Sequence, residues 1–90
     1  MTDGPVRFEI IAASDPQSLP RLINYFAQRD VIPSLVRVEA RGASMHFVIE
    51  LPALAAPHAA IIAEKMRASV LVERVAWNDQ GRIESLRVRC

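Results

Sequence analysis

The sequence has one cysteine, Cys90, and it is the last residue. A lone thiol can neither close an intrachain disulfide nor build a thiolate metal cluster. Charge of either sign is barely in excess. Eleven Lys and Arg stand against ten Asp and Glu, a formal charge of +1, which leaves no bulk electrostatic case for nucleic acid or an anionic membrane as partner. There are only three glycines, none adjacent, so no glycine loop of the kind that cradles phosphate is present. No apolar run approaches the ~20 residues of a membrane-crossing helix. The opening Met1-Thr2-Asp3-Gly4-Pro5 lacks the basic start and apolar stretch of a secretory leader. A cytoplasmic location is therefore expected.

What is present is ordinary globular material, 51% hydrophobic and 23% charged over 90 residues, enough for one domain. A chain this short buries only a little over half of its unfolded surface, so its stability margin is thin and pairing with a copy or a larger partner would add burial.

Val6 to Ala13 is mostly apolar and rich in strand formers, as suits a strand near the middle of a sheet. Ser14-Asp15-Pro16-Gln17-Ser18 follows, where Ser14 or Asp15 can cap a helix and Pro16 loses no needed N–H. Leu19, Leu22, Ile23 and Phe26 recur at helical spacing and predict an amphipathic helix to about Arg29, with Pro20 either in a first turn near Ser18 or removing one hydrogen bond. Asp30 to Pro33 reads as a turn. Leu35 to Ala40 alternates, with Val36, Val38 and Ala40 on one face and Leu35, Arg37, Glu39 and Arg41 on the other, the pattern of an edge strand. Arg41-Gly42-Ala43 marks a hairpin reversal. Ser44 to Leu51 alternates again, with Met45, Phe47, Ile49 and Leu51 toward the core, and Pro52 is expected to stop it. Leu54 to Ala68 predicts a second helix, Ile61, Ile62 and Met66 forming its stripe. Ser69 to Trp77 predicts a fourth strand, Asn78-Asp79-Gln80-Gly81 a turn, and Ile83 to Val88 either a fifth strand or a frayed tail.

The order β-α-β-β-α-β is the ferredoxin-like split βαβ arrangement, an α+β fold with two helices on one face of a four-stranded antiparallel sheet. Fold does not give function, so the chemistry must be found in the residues. Metallochaperones of this scaffold need a Cys-x-x-Cys pair, which is absent. RNA-recognition modules need exposed strand aromatics and a basic rim; Phe8 and Phe47 fall on strands, but in core-facing sets. Acylphosphatase chemistry needs an anion-cradling arginine loop after the first strand, where this chain has the acidic Ser14-Asp15-Pro16. His46 with Glu50 on one strand face, and His58 at a helix start, are too few to make a metal or catalytic site and read as surface polar residues. The serines lack any nucleophile signature, and Cys90 reads as an incidental terminal thiol. Trp77 reads as a lid on a small core rather than an interface anchor. No catalytic residue, metal or cofactor is expected.

The stretches Ser14-Asp15-Pro16-Gln17-Ser18-Leu19-Pro20-Arg21-Leu22 and Phe26-Ala27-Gln28-Arg29-Asp30-Val31-Ile32-Pro33-Ser34-Leu35 resemble the ACT domain family, and more narrowly the small regulatory subunit of acetolactate synthase. That family shows a loop with proline or glycine, then Leu-x-Arg-aliphatic, then a helix end of phenylalanine, a small residue and Gln-Arg-Gly. The resemblance implies an ACT-like domain over residues 6–78, preceded by a flexible 1–5 and followed at 79–90 by the turn and the segment beyond it. It implies a non-catalytic regulatory role, either by binding a large catalytic subunit in branched-chain amino-acid biosynthesis or by sensing an amino acid at a homodimer interface. The effector positions it implies are Ser14, Asp15, Pro16, Gln17 and Ser18, facing Val31 and Ile32 of a partner. The loop glycine of the family is missing near Gln17 and Ser18, and its asparagine before the second strand is Ile32, departures that favour protein contact over a free amino acid. Self-association is expected along the edge strand, through Leu35, Val36, Arg37, Val38, Glu39 and Arg41.

Overall fold

The computed structural model describes residues 4–79. Six elements follow one another: β1 (Gly4–Ala13), α1 (Ser18–Ala27), β2 (Leu35–Arg41), β3 (Ser44–Leu54), α2 (Ala56–Arg67) and β4 (Val72–Asp79). All strand pairs are antiparallel, in the order β2-β3-β1-β4. This is the ferredoxin-like βαββαβ fold expected above, with the apolar β1 central and the charged β2 at an edge. Residues 80–90, and with them the possible fifth strand and Cys90, lie outside the described residues, as do residues 1–3.

The core forms between the helices and one sheet face. Val6, Phe8, Ile10 and Ala12 of β1, Phe47, Ile49 and Leu51 of β3, Leu22 and Phe26 of α1, and Ala59, Ile62, Ala63 and Met66 of α2 are all buried. Phe8 meets Phe26 edge-on, ring centroids 5.3 Å apart, and stacks on Trp77 at 6.4 Å, a geometry that adds to simple area burial. Trp77 is half-buried against this cluster, on the core side as a lid.

Helix α1 begins at Ser18, so Pro20 sits in its first turn, where its missing N–H had no intrahelical acceptor. Its far end closes by backbone alone. Val31 N–H donates to Phe26 O (3.0 Å) and Asp30 N–H to Ala27 O (3.1 Å), the paired bonds of a Schellman closure. Asp30 adopts φ 57°, a left-handed conformation that glycine takes without strain and other residues do not. Asp30→Gly is therefore expected to stabilise the fold by about 0.5–1 kcal/mol. Thermal denaturation will read this as a rise of a few degrees, since ~1 kcal/mol is worth about 4–8 °C in a domain this size; a fall would show that the aspartate side chain supports the turn. Gly42 (φ 62°) opens the two-residue β2–β3 hairpin loop with Ala43, the II′ pattern that matches strand twist.

Five expectations are corrected. Pro52 does not end β3, which continues to Leu54. The register with β1 slips by one residue between Val6↔Leu51 and Gly4↔Leu54, and β2 has already ended its pairing at Glu50, so the proline occupies a bulge where its missing N–H breaks no regular ladder. Leu54 belongs to β3 rather than to the second helix, which starts at Ala56 with Pro57 in its first turn. Ile61 is exposed on α2: the buried stripe runs Ala59, Ile62, Ala63, Met66, and Ile61 is rotated about 100° from Ile62. The fourth strand starts at Val72, because Ser69 to Leu71 form a turn in which Val72 N–H donates to Ser69 O and Leu71 N–H to Ser69 Oγ; Asn78 and Asp79, expected in a turn, extend β4.

Candidate functional site

One end of the molecule gathers three chain reversals. Ser14 N–H donates to Ala43 O (3.0 Å) and Ala13 N–H to Leu71 O (2.7 Å). The loop after β1, the β2–β3 hairpin and the turn before β4 are thereby tied together. Within the Ser14 to Ser18 loop, the Gln17 and Ser18 donors are engaged locally. Asp15 Oδ1 accepts from Gln17 N–H (2.7 Å), Asp15 O accepts from Ser18 N–H (2.9 Å), and the Ser18 hydroxyl donates to Ala13 O (2.7 Å). Ser18 is buried; Ser14, Pro16 and Gln17 are exposed and Asp15 half-buried. The helix is entered through Gln17 with no side-chain cap, so Asp15 braces the turn ahead of the helix rather than capping it.

Val31 and Ile32 lie at the other end of the domain, beyond the far end of α1. Val31 packs on the core and Ile32 is 81% exposed. Within one chain the two groups of residues are thus held apart by the length of α1, ~15 Å for ten residues.

Among the described residues, nothing pairs with the outer edge of β2. Pairing with β3 places Val36 opposite Ile49 and Val38 opposite Phe47. Ile49 and Phe47 are buried beneath the helices, yet Val36 and Val38, on the same face, remain 41% and 38% exposed. The helices cover β1 and β3 and leave the β2 flank bare. Leu35, Arg37, Glu39 and Arg41 lie on the opposite face, with Arg41 paired to Glu39 in its own strand.

That opposite face of the sheet is charged. A shallow trough of about 570 Å³ there is lined by Arg7, Glu9, Arg37, Glu39, Arg41, His46 and Arg74 around an apolar floor of Ile11, Val48 and Ala76. Arg7 lies 3.4 Å from Glu9 and 3.5 Å from Glu50. Its Nε is close to Glu9 without hydrogen-bond geometry, so charge attraction rather than a directed bond holds it. Half-exposed pairs of this kind contribute little to stability. His46 and Glu50 do share this face, as their spacing implied. Among the described residues, no three His, Cys, Asp or Glu side chains come together as a metal site, and no helix is long and apolar enough to cross a membrane.

Comparison with known proteins agrees with this architecture. A family model described as an ACT-like domain matches residues 2–83. Among solved structures, the ACT domain from GTP pyrophosphokinase of Chlorobium tepidum superposes with a TM-score of 0.73 at 12% identity, covering 86% of this chain and 100% of that one. The C-terminal domain of the MgtC protein from Mycobacterium tuberculosis gives 0.67 at 12% identity, over 87% of each chain. The regulatory subunit of aspartate kinase from Thermus thermophilus gives 0.68 at 13% identity, over 83% of this chain and 50% of that one. At these identities the likeness is one of fold. No curated protein matches the sequence.

Proposed function

Since this chain belongs to the ACT-like domain family, we propose that it is a non-catalytic regulatory module that works as a pair and acts by binding a larger catalytic subunit, with the acetolactate synthase large subunit as the named candidate. The observation that carries the pairing is the β2 edge, a ladder unpaired among the described residues and flanked by the exposed Val36 and Val38. An uncovered edge strand is a template for another strand. A two-fold axis through Val38 would set two β2 strands antiparallel, with Arg37 of each copy opposite Glu39 of the other, so that opposite charges face each other twice. The same axis would carry the second copy's Leu35, and the Ile32 region ahead of it, toward this copy's β2–β3 hairpin. The Ser14 loop is tied to that hairpin through Ala43. Pairing therefore offers a way to unite the two residue groups that one chain keeps apart.

The engaged amides of Gln17 and Ser18 favour a protein partner over a free amino acid. A bound amino acid needs unspent donors for its carboxylate, and the amides of Gln17 and Ser18 are already spent on Asp15. The other reading, an amino-acid sensor at the dimer interface, rests on Asp15 as an acceptor for an ammonium group beside a helix start. A thermal-shift panel of the purified chain against the twenty amino acids at millimolar concentration separates the two, because a ligand of the native state raises the melting temperature by mass action. The expected result is no specific shift, together with co-purification of the acetolactate synthase large subunit from the same organism when the two are co-expressed. A saturable rise with valine, leucine or isoleucine would replace this proposal with the sensor.

A further inference from the structure

Beyond the pairing edge and loop, at the end of the domain opposite the tied reversals, a cavity of about 440 Å³ opens between the end of α1 and the start of α2. Gln28, Arg29, Val31, Leu54, His58 and Lys65 line it. Two of these are permanent cations, a third is an imidazole, and none is a carboxylate. His58 and Lys65 are seven residues apart on α2, two helical turns along one face. Arg29 reaches the cavity from the turn after α1. None of the three has an ion-pair partner among the described residues. Glu64, next to Lys65, has its carboxylate engaged elsewhere, 2.6 Å from Arg67 Nη1, and Arg67 in turn donates to Val75 O. Like charges gathered without a counter-charge repel one another, and an anion in their midst removes that repulsion.

We propose that this cavity is a binding site for a small phosphate-bearing molecule. The side chains make the site, not the helix end. In the first turn of α2, Pro57 has no N–H, and the His58 and Ala59 amides donate to Ala55 O, while the opposed half-charges of the two helix ends offset each other there. A guanidinium fork, an ammonium point charge and an imidazole and an amide as further donors suit a dianionic phosphate better than a singly charged carboxylate. The apolar floor of Val31 and Leu54 gives a flat organic group attached to that phosphate a surface to rest on.

Inorganic pyrophosphate is the probe, titrated into isotope-labelled protein at constant ionic strength and followed by amide and side-chain chemical shifts. Saturable shifts centred on residues 28–31, 54, 58 and 65 are expected. The double variant Arg29→Gln/Lys65→Gln should weaken the apparent affinity about tenfold or more, while Arg67→Gln, on the other flank of α2, should leave it unchanged. Both variants alter exposed or half-exposed side chains, and circular dichroism checks that they fold. Equal losses in both variants, shifts spread over all the arginines, or no saturation would overturn the site. The outcome is independent of whether the chain pairs through β2.

Discussion

Phe8→Ala is expected to remove about 3–5 kcal/mol of stability, a large share of what holds the domain folded. Phe8 is fully buried on the central strand and touches both Phe26 and Trp77. Its loss opens a cavity between α1, β1 and β4 that the surrounding backbone cannot close, because β1 is hydrogen-bonded on both sides. The whole stability of a domain of this length is of the order of 5–13 kcal/mol, so one ring carries a large share. Urea denaturation followed by circular dichroism will show a midpoint shifted far toward water or no cooperative transition. Val70→Ala, at a side chain 98% exposed, should change stability by less than about 0.5 kcal/mol. A mild effect of Phe8→Ala would mean that the core is not organised around this aromatic cluster.

Val38→Pro is expected to abolish self-association. Proline in the middle of β2 deletes a ladder N–H, and its ring interferes with a strand approaching from outside. Because proline can also disturb the pairing of β2 with β3, the companion variant is Val36→Lys/Val38→Lys. Both positions are already more than a third exposed, so lysine there costs the isolated domain little, but the two lysines at position 38 would face each other on the two-fold axis, with those at position 36 on the diagonals, and would repel across the interface. Sedimentation should give the monomer mass for both variants while far-ultraviolet circular dichroism keeps its native shape. Variants that remain paired would move the contact away from this edge.

Much of the fold was legible because burial follows periodicity. The alternation of Met45, Phe47, Ile49 and Leu51 identified the buried face of β3, and the charge alternation of Arg37, Glu39 and Arg41 identified β2 as an edge. The elements whose bounds differ are those decided by tertiary context. Pro52 usually ends a strand, but here a bulge accommodates it where β2 no longer pairs. Val70 and Leu71 run on into the apolar Val72 and read with it as strand, yet the chain turns there between α2 and the sheet. Ile61 sits one position from the buried stripe, and an alanine-rich helix leaves the direction of that stripe poorly marked. The candidate sites were less legible. The loop from Ser14 to Ser18 was visible as a polar helix entry, but not that its Gln17 and Ser18 donors are engaged locally, since that depends on Asp15 and on the backbone of Ala13. The bare flank of β2 depends on where the helices lie, which no local pattern records. The basic cavity unites Arg29 with His58 and Lys65 across half the chain, and only the antiparallel packing of α1 against α2 brings them together.

The working unit proposed here is a pair joined along β2, and its mass tests that most directly. Sedimentation equilibrium of the wild-type chain at tens of micromolar should give about 20 kDa, twice the 10.0 kDa of one chain. A mass of 10.0 kDa throughout that range would contradict the account and leave β2 an edge that the isolated chain does not use.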